Sequence, residues 1–193
     1  MRLTPLVALM LILAPAAPAR AQVPPAAPTG GGYPAPPPTR MRIDVGLGAA
    51  SPQGDYEGVA TSPELHAAFG YSVIPSLSLH VFFRYILVQP EEDIPGLDAS
   101  YYELGVGGRY ALPVGPQTEL FGELNVMNTT AAVDYMGQSD SESEVGFGIR
   151  AGGVFLLSRT LGIGGSLGYS SAEYPENFDA VWTTVEAHAS FRF

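Results

Sequence analysis

The chain has 193 residues, which suits one domain with tails. It has no cysteine, so disulfides, thiolate metal sites and a lipid-modified N-terminal cysteine are excluded. Nineteen acidic residues outnumber nine basic ones, all of them arginine, and this negative charge argues against nucleic acid as a partner.

The first segment, residues 1–21, has the organisation of a secretory signal peptide. Arg2 supplies a positive start, residues 3–13 form a short apolar run, and an A-x-A-like cleavage site ends at Ala21. The alternative is a membrane anchor, but a spanning helix needs about 20 apolar residues and Pro15 ends this run too early. We therefore expect export and cleavage near Ala21.

The next segment, residues 22–40, consists mainly of Pro, Ala and Gly and shows no core-forming pattern. Runs of this kind favour extended polyproline conformations and act as semi-rigid spacers. The composition predicts a periplasmic linker or tail. A proline-rich ligand for a partner protein is an alternative that composition alone leaves open.

The region 41–193 is dominated by a period of two between apolar and polar residues, which predicts strands. Every Arg, acid and His within these strands lies on the polar face, whereas Phe121 and Met127 break the pattern by falling on that face too. Eight strands are predicted, at residues 41–51, 63–73, 77–87, 101–112, 119–128, 144–155, 161–170 and 181–193.

The apolar face, represented by Leu47, Val81 and Phe147, carries no charge. Alternation in segments of about ten residues is typical of transmembrane barrels, in which a lipid-facing Arg at mid-bilayer costs roughly 2–4 kcal/mol. The alternative is a soluble β-sandwich or lipocalin-like barrel with the apolar face inside. Its solvated face would normally carry Lys, yet the chain has none, and the polar face is rich in Gly, which weakens a solvent-facing strand. Gly suits a narrow lumen, where it leaves room for larger side chains.

The connections between the predicted strands alternate in length. Short ones fall at residues 74–76, 113–117 and 156–160, and longer acidic ones at 51–62, 88–99, 129–142 and 171–179. Short periplasmic turns and long external loops characterise outer-membrane barrels, so both ends of the barrel are predicted to lie in the periplasm.

With these features, the region 41–193 resembles the OmpA/OmpX-type small outer-membrane barrels. The ending Ser-Phe-Arg-Phe, with Phe191 and Phe193, is similar to the C-terminal signal read by the outer-membrane assembly machinery. The resemblance implies an all-β, eight-stranded antiparallel up-and-down barrel in the outer membrane of a Gram-negative-type bacterium. It also implies that outer-membrane lipid, lipopolysaccharide and the assembly machinery are partners.

Charged residues on the polar face are predicted to pair inside the barrel, since eight strands enclose a space that side chains roughly fill and an unpaired buried ion is very costly. The predicted salt-bridge network comprises Arg42, Asp44, Glu64, Arg84, Glu103, Arg109, Glu123, Glu144, Arg150, Glu186 and Arg192, with Glu119 on the same face. The alternative is a gated, porin-like path for ions or small solutes.

A His-x-Ser pair, His188 and Ser190, resembles part of the motif of lipid A deacylases, which are also small outer-membrane barrels. In such enzymes a His activates a Ser and an acid orients the His, a role that Glu186 could take. The alternation instead places all three in the lumen as ordinary lining residues, so no catalytic site is predicted. A deacylase remains the enzymatic alternative.

The four longer connections contain twelve acids and no Arg. Carboxylates suit Ca²⁺ and Mg²⁺, so weak binding of divalent cations shared with lipopolysaccharide phosphates is an alternative to simple solvation. No defined metal site or cofactor is predicted. The sequence favours a non-catalytic barrel that contributes to envelope integrity or to surface interaction through its acidic loops.

Overall fold

The computed structural model describes residues 40–53, 59–90, 95–174 and 178–193. The predicted signal peptide and residues 22–39 of the predicted linker lie outside the described residues. The described part forms the strands β1 (Met41–Gln53), β2 (Val59–Ala60), β3 (Ser62–Ile74), β4 (Leu77–Pro90), β5 (Leu97–Pro113), β6 (Thr118–Tyr135), β7 (Gln138–Leu156), β8 (Leu161–Tyr174) and β9 (Phe178–Arg192).

The eight long strands close into one antiparallel barrel. Each pairs with the next along the chain, and β1 pairs with both β3 and β9, so that Val45 lies opposite Ala67 on one side and Ala189 on the other. The predicted eight-stranded antiparallel barrel is thereby confirmed. The short strand β2 is an addition that the alternation did not predict, and it pairs with the end of β4 through Val59 and Pro90.

The barrel has two different ends. The terminal end contains Met41, Arg192 and the short connections after β3, β5 and β7. There the amide nitrogen of Arg40 donates to the carbonyl of Phe193 at 2.9 Å, which ties the two ends of the barrel sequence together. The opposite end, which we call the hairpin end, contains the turn between β6 and β7. No helix in the described part of the chain is long and apolar enough to cross a membrane.

The two faces of the barrel wall are sorted as the alternation predicts. Leu47 is 65% exposed, Val81 51% and Phe147 65%, whereas Arg84 and Arg150 are 4% exposed. Side chains alternate between the two faces of a strand, so the register that places the apolar belt outside also places Arg84 and Arg150 inside. The alternative of a soluble fold with an apolar interior is therefore wrong.

The long connections predicted at residues 129–142 and 171–179 are wrong, because most of these residues extend the strands. β6 and β7 are joined by the two-residue turn Met136–Gly137, whose φ angles of 53° and 82° match the turns preferred in tight hairpins. The Ser and Asp content of these segments suggested loops. Strands tolerate that content here because both faces of this part of the hairpin are largely exposed.

Candidate functional site

A continuous chain of ion pairs runs through the lumen from the terminal end. Arg192 contacts Glu119 at 3.0 Å, and Glu119 contacts Arg109 at 3.4 Å. Arg109 contacts Glu123 at 3.4 Å, and Glu123 contacts Arg150 at 3.7 Å. Because these groups come from β5, β6, β7 and β9, the chain of charges connects opposite walls of the barrel.

Two further groups of ion pairs flank this chain. Oδ2 of Asp44 lies 2.8 Å from Nε of Arg42 and 3.2 Å from Nη1 of Arg109. Nearer the hairpin end, Arg84 contacts Glu103 at 2.7 Å and Glu64 at 3.5 Å. Buried, charge-assisted hydrogen bonds of this type are stronger than neutral ones, because little water competes for the charged groups.

Phe121 is an apolar residue at the centre of this charged lumen. The guanidinium carbon of Arg109 lies 3.5 Å from its ring centre, and that of Arg150 lies 5.6 Å away. A cation over an aromatic face is attracted by the ring, and the attraction grows when water is excluded. The break in the alternation at Phe121 thus marks a ring that two buried cations approach.

The candidate catalytic residues lie deep in the lumen. Glu186 approaches the Nδ1 atoms of His66 and His188, both at 3.4 Å, and it also contacts Arg150 at 3.4 Å. Ser190 is fully buried, and no hydrogen bond joins its hydroxyl to a ring nitrogen of His188. The arrangement lacks the Ser–His contact that nucleophile activation needs.

Beyond the charged groups, toward the hairpin end, the lumen is filled by apolar and aromatic side chains. The rings of Tyr101 and Trp182 lie 5.6 Å apart, and both residues are almost completely buried. This apolar cap consists of Ala50, Ile86, Tyr101, Ala172, Tyr174, Ala180 and Trp182. Together, the charged groups and the apolar cap occupy the lumen over much of its length.

The structure brings together the charged residues that the alternation selected, with Glu144 as the exception. Glu144 is only half-buried and forms no ion pair with any described residue, because it lies where β7 is no longer paired with β8 and the hairpin extends from the barrel. Four lumen partners were not selected: His66, His80, Asn125 and Ser166. Nε2 of His80 lies 2.9 Å from Oδ1 of Asn125, and the hydroxyl of Ser166 accepts from Arg150 Nε at 3.0 Å. All four lie at inward positions of the alternation, and this position could have identified them from the sequence.

The acids of the predicted loops divide into two sets. Asp55, Glu57, Glu91, Glu92, Asp93 and Glu176 lie outside the described residues. Asp98, Asp134, Asp140, Glu142, Glu173 and Asp179 lie near the hairpin end, on strands rather than loops. Among the described residues, no group of three or more acidic or histidine side chains is placed to hold a metal ion.

Comparisons with solved structures identify the same architecture in outer-membrane proteins. Neisserial surface protein A matches with a TM-score of 0.68 and 15% identity, covering 79% of this chain and 97% of that one. The attachment invasion locus protein Ail of Yersinia pestis matches with a TM-score of 0.58 and 18% identity, covering 80% and 99%. The N-terminal β-barrel domain of Pseudomonas aeruginosa OprF matches with a TM-score of 0.56 and 9% identity, covering 80% and 99%.

At these identities the solved structures establish the fold alone, and no curated protein matches the sequence. The family model of the outer membrane protein beta-barrel domain matches residues 6–193, nearly the whole chain. The exposed apolar belt and the charged lumen are what an outer-membrane location requires. The chain therefore belongs to the family of outer membrane proteins with this beta-barrel domain.

Proposed function

We propose that this protein is a non-catalytic outer-membrane barrel that supports envelope integrity or surface interaction through its acidic hairpin end. The proposal includes cleavage of residues 1–21, a periplasmic linker over 22–40, and a barrel over 41–193 with its terminal end in the periplasm. The hairpin end then faces the exterior. Outer-membrane lipid, lipopolysaccharide and the assembly machinery, which would read Phe191 and Phe193, are the proposed partners.

The main argument against a channel is that side chains fill the lumen of the described barrel. Arg109, Glu103 and Trp182 are all buried completely, at successive levels of the interior. A conducting path would require several buried ion pairs and the apolar cap to separate at once, which is costly. We expect the folded barrel to be silent in planar bilayers, and step-like conductance would favour the channel alternative.

The burial of Ser190 supports a non-enzymatic role. An enzyme that removes lipid A acyl chains needs its nucleophile near lipid, whereas Ser190 points into the lumen with Asp44 opposite it across the strand pair. We expect expression of the protein to leave lipid A acylation unchanged, as measured by mass spectrometry. Loss of acyl chains that Ser190→Ala abolishes would establish the deacylase alternative.

The charge of the hairpin end supports interaction with cationic rather than anionic extracellular partners, and lipopolysaccharide phosphates would approach it through bridging divalent cations. Ail of Yersinia pestis is known in complex with the heparin analogue sucrose octasulfate. The described strand ends of this chain carry Asp98, Asp134, Asp140 and Glu142, and the predicted outer connections contain no Arg. This surface would repel a soluble polyanion such as the heparin analogue, so the partner proposed here carries the opposite charge.

Orientation can be tested with single cysteines, because the chain has none. Ser139→Cys, near the hairpin end, should react with a membrane-impermeant maleimide on intact cells. Gly115→Cys, in a short connection of the terminal end, should react only after the outer membrane is opened. The reverse pattern would overturn the proposed orientation.

A deletion strain separates the two envelope roles. Increased sensitivity to detergent and bile, restored by the wild-type gene, would support a contribution to integrity. Unchanged sensitivity together with reduced attachment to surfaces would support interaction. A strain unaltered in both properties would contradict the proposal.

A further inference from the structure

The β6–β7 hairpin continues past the point where β7 separates from β8. β7 pairs with β6 over its whole length, from Gln138 opposite Tyr135 to Phe155 opposite Thr118. Its pairing with β8 begins only at Gly146, opposite Ala172. Among the residues that the structure describes, the segment Gln138–Val145 therefore has a partner strand on one side only; we call it the β7 edge.

An edge of this kind presents unpaired backbone groups. In an antiparallel ladder successive residues direct their N–H and C=O groups alternately to one neighbour and the other, so about half of those on the β7 edge point away from β6. Two groups of the segment are already occupied, since the N–H of Ser141 donates to Asp140 Oδ1 at 2.8 Å and the carbonyl of Glu144 accepts from Thr129 Oγ1 of β6 at 3.1 Å. The accessible template is thus the remaining backbone groups of residues 138–143 that point away from β6.

The side chains of the β7 edge divide cleanly between two faces. Ser139, Ser141 and Ser143 continue the outer face, where the hydroxyls of Ser143 and Thr130 lie 2.7 Å apart. Asp140, Glu142 and Glu144 continue the lumen-facing side, at the even positions shared with Arg150. One face of the edge is hydroxylic and the other is a row of carboxylates.

This charge pattern selects what can add to the edge. A second copy of the same strand would bring its own row of carboxylates beside the first, and like charges on neighbouring strands repel. A segment with cationic side chains at every second position would instead place each of them beside an acid. Backbone hydrogen bonds then supply affinity and alternate side chains supply specificity, as in other strand-addition interfaces.

We propose that the β7 edge is a docking site for an extended, basic polypeptide segment of another protein, which adds to it as a further strand. The segment carries Lys or Arg at alternate positions and small or hydroxylic residues between them. This inference rests on the proposed surface role and names the class of partner. A second copy of this chain is the occupant that the row of carboxylates excludes.

The test uses the whole barrel in lipid nanodiscs at low salt, with a capped eight-residue peptide that alternates lysine and threonine. We expect saturable binding, with NMR amide shifts concentrated in residues 138–145. A peptide of the same sequence with every backbone nitrogen methylated keeps its charge but cannot extend a sheet, and we expect it to bind at least about tenfold more weakly.

Matched charge variants separate the edge from the general negative charge of the hairpin end. Asp140→Asn with Glu142→Gln should weaken binding about three- to tenfold, as expected for two exposed ion pairs. Asp98→Asn with Asp134→Asn removes the same charge from neighbouring strands on the outer face, where these two residues lie opposite each other. This control should change the affinity less than about twofold.

Equal binding of the methylated peptide, shifts centred elsewhere, equal effects of the two double variants, or no saturable binding would each overturn the inference. Maleimide labelling at Ser139→Cys keeps the two proposals apart. Peptide binding without labelling from outside would support the docking site at the β7 edge and contradict the proposed surface role. Labelling without peptide binding would support exposure at the surface and contradict the docking site.

Discussion

The guanidinium carbon of Arg109 lies 3.5 Å from the ring centre of Phe121, in the charged part of the lumen. The same guanidinium contacts Asp44 at 3.2 Å and both Glu119 and Glu123 at 3.4 Å. Asp44 belongs to β1, which is not a neighbour of β5 in the barrel. One arginine thus joins opposite walls of the barrel through an aromatic ring and three carboxylates.

Arg109→Leu should lower the free energy of unfolding of the barrel by about 3–5 kcal/mol, because it removes the buried cation that three carboxylates share and leaves each of them with fewer compensating arginines. Urea unfolding in lipid vesicles, followed by the shift between folded and unfolded gel mobility, measures the change. Arg159→Leu is the control, since Arg159 is exposed in the β7–β8 connection, and it should change stability by no more than about 0.5 kcal/mol. Similar stabilities for the two variants would mean that the lumen contacts contribute little.

Gly164→Ala should destabilise the barrel by about 1–3 kcal/mol, as overpacking of a filled interior does. A Cβ at this inward position would lie 2.6 Å from Nε2 of His188, which is itself buried. Gly122→Ala is the matched control, because no heavy atom lies within 4 Å of its added Cβ. The same unfolding assay compares them, and a Gly164→Ala barrel as stable as the control would show that the lumen is loosely packed.

The sorting of residues between the two faces was predictable from the sequence because it depends only on a period of two. Leu47 and Arg84 needed no knowledge of neighbouring strands to be assigned to opposite faces. The pairing of Arg109 with Asp44 could not be predicted in this way. These residues are 65 positions apart, and their contact depends on the stagger and closure of the whole barrel.

The hairpin end shows a different limit of sequence-based prediction. Residues 139–144 alternate Ser with Asp or Glu, a composition shared by loops and by solvent-exposed strands. Without an apolar face, the period carries no information about burial. The tight turn at Gly137 was the informative signal, because a glycine between two alternating segments is typical of hairpins. The β7 edge follows from this extension and was therefore also missed.

Phe193→Ala should reduce the amount of barrel assembled in the outer membrane several-fold while leaving its stability nearly unchanged. The amide nitrogen of Phe193 donates to the carbonyl of Met41 at 3.0 Å, so the backbone closure survives the substitution, and the ring is 60% exposed. Leu47→Ala removes a similarly exposed apolar side chain from the belt and should assemble normally. Quantifying heat-modifiable protein in outer-membrane fractions measures the difference, and normal assembly of the Phe193→Ala barrel would refute the proposed signal.

Trp182 should be shielded from both water and lipid, since it is fully buried in the apolar cap. It is the only tryptophan in the chain, so the native fluorescence reports on this position alone. We expect weak quenching by iodide in solution and by brominated lipids in the bilayer. The control moves the probe to the belt, with Trp182→Phe combined with Phe147→Trp, and should be strongly quenched by brominated lipids because Phe147 is 65% exposed on the apolar face. Equal lipid quenching of both proteins would place Trp182 on the outside of the wall. Since β9 has a period of two, that result would also turn Glu186 and His188 toward the lipid, where unpaired charge costs several kcal/mol.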